Sequence, residues 1–240
     1  MRMMRRLLFR FLVVLVLVYT LFPFYWAVNA SFQPDDRLFA VPADYFPLPG
    51  TLKHYREALR DHTFLVSLRN SAIVATATTL IALATGSLAA CALGRFRMRG
   101  RRITLGLILA MTMFPQISIL GAVHAIISAL GLYNTLAGLV LSYMLITLPL
   151  TVWVLTGFFR SLPRELEESA YVDGASPFQT FTRVLLPLAL PGLAATGLLA
   201  FIAAWNEYLY ALSLTITLDA RTVPVTIAGF TGATIHETPW

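Results

Sequence analysis

The chain has 240 residues, of which 58% are hydrophobic and only 12% charged, with a formal net charge of +6. Soluble domains carry roughly a quarter charged residues, so this composition points to an integral membrane protein. Cys91 is the only cysteine and Lys53, followed by His54, the only lysine, which excludes an intramolecular disulfide, a thiolate zinc site, a redox pair and a Walker A phosphate loop.

Taken in chain order, Arg2, Arg5, Arg6 and Arg10 form a basic arm ahead of an apolar run, and residues 11–32 carry no charge. The run is too long for a secretory leader and no small-residue cleavage site follows it, so a retained anchor is expected. Residues 70–94 are also uncharged, and both stretches exceed the about 20 residues needed to cross a hydrocarbon core. Within the second, Ala84, Gly86, Ala89 and Ala90 mark close helix packing. An arginine-rich loop, GRFRMRGRR, holds Arg95, Arg97, Arg99, Arg101 and Arg102. Residues 103–159 contain no Asp, Glu, Lys or Arg. One helix of that length would overshoot a bilayer, so the stretch must fold back, with GLYNT at Gly131–Thr135 as the hinge. Residues 188–218 form a fifth span broken only by Asn206 and Glu207, and residues 219–240 hold too little continuous apolar sequence for a sixth.

The expectation is an all-α, polytopic transmembrane helix bundle. It forms a single domain over 1–240 with spans near 8–32, 70–94, 103–127, 135–159 and 188–216, and a polar loop at 160–187. The basic arm and the arginine loop belong on the cytoplasmic face, and alternation puts the 160–187 loop, with Arg160, Arg164 and Arg183, on the same face. Residues 33–69 then lie outside. Arg37, Lys53, Arg56, Arg60 and Arg69 argue mildly against that, but they are spread out and interleaved with acids. A nucleic-acid patch is excluded because the arginines flank spans and no nucleic-acid motif accompanies them. His54, His62, His124 and His236 lack metal-ligand spacing, and no GxSxG or HExxH string occurs.

Ser161–Leu193 interrupts the oily sequence with a charged helix-turn-helix pattern. Ser161 is expected as a cap with Pro163 in the first turn. Glu165, Glu167 and Glu168 follow where carboxylates oppose the positive end of a helix dipole. Leu162, Leu166 and Ala170 recur at i+4, and Arg164 faces Glu168. Asp173-Gly174 supplies the glycine a helix end commonly needs. Ser176-Pro177 starts a second helix, with Phe178, Phe181 and Leu185 on one face. Two short helices meet at a glycine elbow.

Trp205, Asn206 and Glu207 stand at membrane depth in the fifth span, about 22 Å along it from Pro191. Polar groups there usually face a cavity or partner. Aromatic faces and hydrogen-bonding side chains suit a sugar, which makes the trio a candidate substrate pathway. The alternative is that Glu207 reaches interfacial water or ties two helices together.

The order of these elements resembles the permease subunits of ATP-binding-cassette importers, in their carbohydrate-uptake branch. The family loop signature stands here as ELEESA at Glu165–Ala170, DGA at Asp173–Ala175, Phe181, and Val184–Pro187. Ser169 replaces the usual alanine and Val184 the usual isoleucine. GLYNTLAGLVLSY, WVLTGFFRSLP and AWNEYLYAL lie in the family's order and spacing. The resemblance implies a second permease subunit, a cytoplasmic ATPase dimer that supplies energy, and an extracytoplasmic sugar-binding protein. No cofactor or metal and no catalytic residue is expected in this chain. The elbow would be the coupling loop, carried by Glu165, Glu167, Glu168, Ala170, Asp173, Gly174, Ala175, Phe181 and Pro187. A passive amphipathic segment on the lipid surface is the alternative, poorly matched by three glutamates facing an anionic leaflet. Relative to the resembled family a sixth helix is missing, so a truncated product is the expectation. Maltose, trehalose, other oligosaccharides and glycerol phosphate fall within the scope of such permeases, with a disaccharide favoured. An ion-coupled secondary transporter and a membrane-bound enzyme are the competing classes. The first would need ionisable groups in its spans, for which Glu207 is the acidic candidate, and the second a catalytic constellation.

Overall fold

The computed structural model describes residues 2–236 apart from 39 and 97, with side chains described for 3–230 apart from the same two. Its contacts divide into two compact units, Met1–Leu65 and Val66–Trp240.

In the first unit, α1 (Arg2–Phe32) is a long apolar helix with Pro23 inside it. The chain beyond it folds back on the helix end, because Asn29 and Gln33 both donate their side-chain amides to the Asp44 carbonyl, at 2.9 and 2.6 Å. The Thr51 amide donates to the Phe32 carbonyl at 2.8 Å, and α2 (Lys53–Ala58) follows. Lys53 pairs there with Asp35 and, at 3.9 Å, with Glu57. The Lys53 ammonium holds the Asp35 carboxyl below its ordinary value.

Most of the second unit is built on α3 (His62–Arg95) and α6 (Leu136–Ser161), both long and apolar enough to span a membrane, as is α1. α3 presents a face of small and hydroxylated residues, among them Ser71, Ala75, Thr78, Ala82, Gly86 and Ala90. Small residues let helix backbones approach in lipid, where apolar burial alone drives nothing. A Cβ at Gly86 would stand 2.7 Å from Thr151 Cγ2 on α6, and one at Gly94 would stand 3.1 Å from Phe159 Cβ. Buried hydroxyls on these helices, such as Thr79, Thr147, Thr151 and Thr156, donate back to the carbonyl four residues earlier, which satisfies them inside an apolar layer.

Two expected spans are broken. Residues 103–127 are not one helix: α4 (Arg101–Thr112) and α5 (Gln116–Ala129) meet at 94°. Pro115 supplies no amide and disfavours helical backbone at Phe114, which forces the break. Residues 188–216 are likewise divided. α10 (Leu190–Trp205) starts at a 76° bend from the segment before it and stops at Asn206, and α11 (Leu209–Leu214) takes over. Pro191 cannot donate to the carbonyl of Pro187, which removes a ladder bond at that bend.

The GLYNT hinge is confirmed and does more than turn. Gly131 and Asn134 both have positive φ, +68° and +58°, and Thr135 caps α6 by accepting from the Gly138 amide at 3.1 Å. Asn134 also accepts the Ile216 and Thr217 amides on Oδ1 at 2.8 and 3.0 Å, fixing the chain beyond α11. On the same stretch, the Asn70 amide donates to the carbonyls of Asp219 and Arg221, both at 2.9 Å. Ser71 Oγ accepts the Val223 amide at 2.8 Å, where α12 (Val223–His236) begins. A helix therefore follows α11 inside residues 219–240, where the apolar sequence alone is too short to announce a span.

Candidate functional site: the Ser161–Leu188 elbow

α6 ends at Ser161, and α7 (Glu165–Val172) begins after the non-helical link Leu162–Arg164. The expected Ser161 cap does not form. Ser161 Oγ donates to the Phe158 carbonyl at 2.8 Å, because α6 extends further than the apolar pattern indicates and takes the serine into its own last turn. Glu165, Glu167 and Glu168 do occupy the first turn of α7, beside the exposed amides of its positive end. No ion pair joins Arg164 to Glu168 among the described residues; both side chains are exposed, and Arg164 stands at the N-cap, before the first helical turn.

The helix ends as the Asp173-Gly174 pair requires. Gly174 takes φ +79°, the Ala175 amide reaches back to the Ala170 carbonyl at 2.9 Å, and the Gly174 amide to that of Tyr171 at 3.1 Å. This double closure satisfies the last carbonyls of α7. Ser176 then opens α8 (Pro177–Thr180) with a full capping box: its Oγ accepts the Gln179 amide at 3.3 Å and its own amide donates to Gln179 Oε1 at 2.8 Å. α8 runs through a π turn at Phe181–Leu185 into α9 (Leu186–Leu188).

The two faces of the elbow have opposite chemistry. Inward, Ala170, Phe181 and Leu185 are buried, the last two in one cluster with Ala90, Cys91, Leu155 and Phe159. The Phe159 and Phe181 rings stand 6.2 Å apart. Outward, Glu165, Glu168 and Asp173 are exposed beside Val172, 87% exposed, and Phe178, 68% exposed. Phe178 therefore leaves the face expected for it, since the π turn rotates the following residues relative to it. Ala175 is half-buried and Pro187 exposed.

Glu167 parts company with the other carboxylates. It turns inward to Arg95, with Nε and Oε1 2.5 Å apart and side chains only 5% (Arg95) and 16% (Glu167) exposed. Arg95 lies in the last turn of α3. Sequence reasoning placed it among the loop arginines that set orientation and missed this role. The available signal was its position directly after Gly94, within the helical stretch. A cavity of about 400 Å³ lies beside the pair, lined by Cys91, Phe96, Tyr171 and Phe181 among others.

Far along the chain, Trp205 stacks on Phe201 with ring centroids 5.6 Å apart. Asn206 is exposed and donates to the Ile202 carbonyl at 2.8 Å. These residues and Ile202 line a shallow cavity of about 280 Å³. Glu207 is 6% exposed, and its two oxygens accept the Tyr210 and Ala211 amides at 2.9 and 3.1 Å. Its carboxylate thus caps α11 at the break between α10 and α11. Of the trio, Trp205 and Asn206 face a cavity and Glu207 faces backbone.

Residues 82–226 match the model of the family described as binding-protein-dependent transport system inner membrane component. The chain is 41% identical over 225 residues to the trehalose transport system permease protein SugB of Mycobacterium tuberculosis, covering 94% of this chain and 81% of that one. It is 41% identical over 240 residues to the trehalose/maltose transport system permease protein MalG of Thermococcus litoralis, covering 99% and 85%. Among solved structures, a bacterial ABC transporter that imports the acidic polysaccharide alginate has a chain of the same fold. It superimposes with a TM-score of 0.78 at 22% identity, over 97% of this chain and 85% of that one. An all-helical bundle with several spans, a capped polar elbow, and these matches along nearly its whole length place the chain in the family of binding-protein-dependent ABC importer permeases, as an inner-membrane component.

Proposed function

We propose that this chain is the permease subunit of an ATP-binding-cassette importer that moves a sugar, a disaccharide or short oligosaccharide, across the cytoplasmic membrane. A second permease subunit completes the pathway, a pair of cytoplasmic ATPase subunits drives it, and an extracytoplasmic sugar-binding protein delivers the substrate. The amino terminus and the 160–187 elbow lie on the cytoplasmic side, where the arginine clusters belong.

The observation that carries this reading is the outer face of the elbow. α7 is a short, doubly closed helix that exposes Glu165, Glu168 and the apolar Val172, with Asp173 at its end and Phe178 on α8 also exposed. Such a knob suits a groove with basic groups on a partner, through charge-assisted hydrogen bonds. Nucleotide-driven closure of the ATPase pair would then move the spans as rigid bodies. The sugar assignment is supported by relatives whose names refer to trehalose and maltose. In the pathway itself, Trp205 and Asn206 are the proposed lining, with Glu207 holding the helix break behind them. An ion-coupled secondary transporter fits less well, since it needs an ionisable group free to load, and both Glu207 oxygens already accept backbone amides.

The test is to co-express the tagged chain with the partner permease and ATPase subunits proposed for it, measure how much ATPase it retains on purification, and follow uptake of labelled trehalose and maltose. ATPase retention and ATP-dependent uptake of either sugar are expected. Uptake by the chain without an ATPase would overturn the reading.

A further inference from the structure

The link between α6 and α7 poses a mechanical problem. Leu162–Arg164 is non-helical, with Leu162 extended at φ −70° and ψ 139°, so a push on α7 would ordinarily bend the link before it moved a span. Arg95 bridges that joint from a third element. Its Nε donates to Glu167 Oε1 in the first turn of α7, at 2.5 Å. Nη1 donates to the carbonyls of Phe159 and Leu162 at 3.1 and 2.7 Å, and Nη2 to that of Pro163 at 3.1 Å.

The chemistry is specific to a guanidinium. The carbonyls at a helix end lack intrahelical partners and carry the negative end of the dipole, so a cation there is favoured. A planar fork can hold three carbonyls and one carboxylate together, whereas an ammonium acts as a point charge. Exposed ion pairs hold little, but Arg95 is buried and Glu167 nearly so, and removing one member leaves an uncompensated charge.

We infer that Arg95 is a positioning residue that locks α7 to the ends of α3 and α6 across the Leu162–Arg164 link, so that a displacement of the elbow reaches two spans as one body. Glu167 is the elbow's half of this lock and is withdrawn from the surface offered to the ATPase. The inference rests on the docking role proposed for α7.

The experiment uses the full chain assembled with its partner permease and ATPase subunits in lipid nanodiscs. Cys91, the sole cysteine, is replaced by alanine, and spin labels are placed at Leu88→Cys on α3 and Ser169→Cys on α7, both exposed positions. Pulsed electron resonance gives the distance between them with and without ATP, and ATPase retention is read on the same samples. With Arg95 present, one narrow distance unchanged by ATP is expected. Arg95→Met should broaden it and let it shift by a few ångströms between the two states, the scale of helix displacements in switching proteins, and Arg95→Lys should fall between. Distributions in Arg95→Met and Glu167→Gln as narrow and as nucleotide-insensitive as the parent's would overturn the inference, as would a parent distance that itself changes with ATP. If Arg95→Met fails to accumulate, Glu167→Gln decides by the same criterion. Glu168→Lys and Gly174→Val separate the two ideas: full ATPase retention in both variants removes the docking reading and leaves the distance result on Arg95 standing.

Discussion

Gly174 has open space around the place a Cβ would occupy, with no heavy atom within 4 Å, yet its φ of +79° lies where side chains are rarely found. A substitution there is therefore penalised by the backbone alone. Gly174→Val should cost on the order of 1–2 kcal/mol locally and loosen the closure of α7. Membrane abundance should stay near wild type while ATPase retention and uptake fall. Glu168→Lys should lower both in the same way by reversing charge on the exposed face, so wild-type behaviour in the two variants together would mean a passive surface segment. Gly86 is the opposite case. Its added Cβ meets Thr151 Cγ2 at 2.7 Å, so Gly86→Val should force α3 and α6 apart at a cost of about 1–3 kcal/mol and be seen as lower thermal stability in detergent. The elbow residues were legible in the sequence because caps and positive-φ glycines act over a few residues. Arg95 was not, because its partners lie more than sixty residues away, at Phe159 and beyond, and no local pattern encodes that distance.

Element by element, composition was a good guide to where helices lie and a poor one to where they break. Charge-free stretches mark α1, α3 and α6 well. The bends at Phe114–Pro115 and at Ala189 were hidden because an apolar run reads the same whether straight or bent, and the prolines alone do not say whether a helix kinks or stops. The break after Trp205 is the instructive one. A buried glutamate in an apolar helix suggests a pathway residue, yet Glu207 accepts two backbone amides that the break leaves without partners. Glu207→Ala should leave the Tyr210 and Ala211 amides buried and unpaired, each at about 1–3 kcal/mol, and lower the melting temperature of the purified chain. Glu207→Gln keeps one acceptor and should fall between alanine and wild type. If instead Glu207→Gln melts like wild type while sugar uptake collapses, Glu207 belongs to the pathway and not to the scaffold.

At the scale of the whole molecule, energy supply is the property most sharply bounded by counting. A phosphate loop needs a lysine after a glycine-rich turn, with backbone amides cradling the phosphates. The chain has one lysine, and Lys53 is held by Asp35 and Glu57 at the start of a short helix. The arginines are no substitute without such a turn: the glycine at the head of α4, Gly100, is followed by Arg101 and Arg102, and Arg101 directs a donor to the Gly94 carbonyl at 3.0 Å. The purified chain is therefore expected to give no heat of MgATP binding in titration calorimetry and no phosphate release above a buffer blank. Adding the ATPase subunits of the proposed complex should produce hydrolysis that Glu168→Lys suppresses, if the elbow is the docking surface proposed for it. Hydrolysis by the isolated polypeptide, retained through a second chromatographic step and unaffected by Glu168→Lys, would show a nucleotide site that neither the lysine count nor the elbow accounts for.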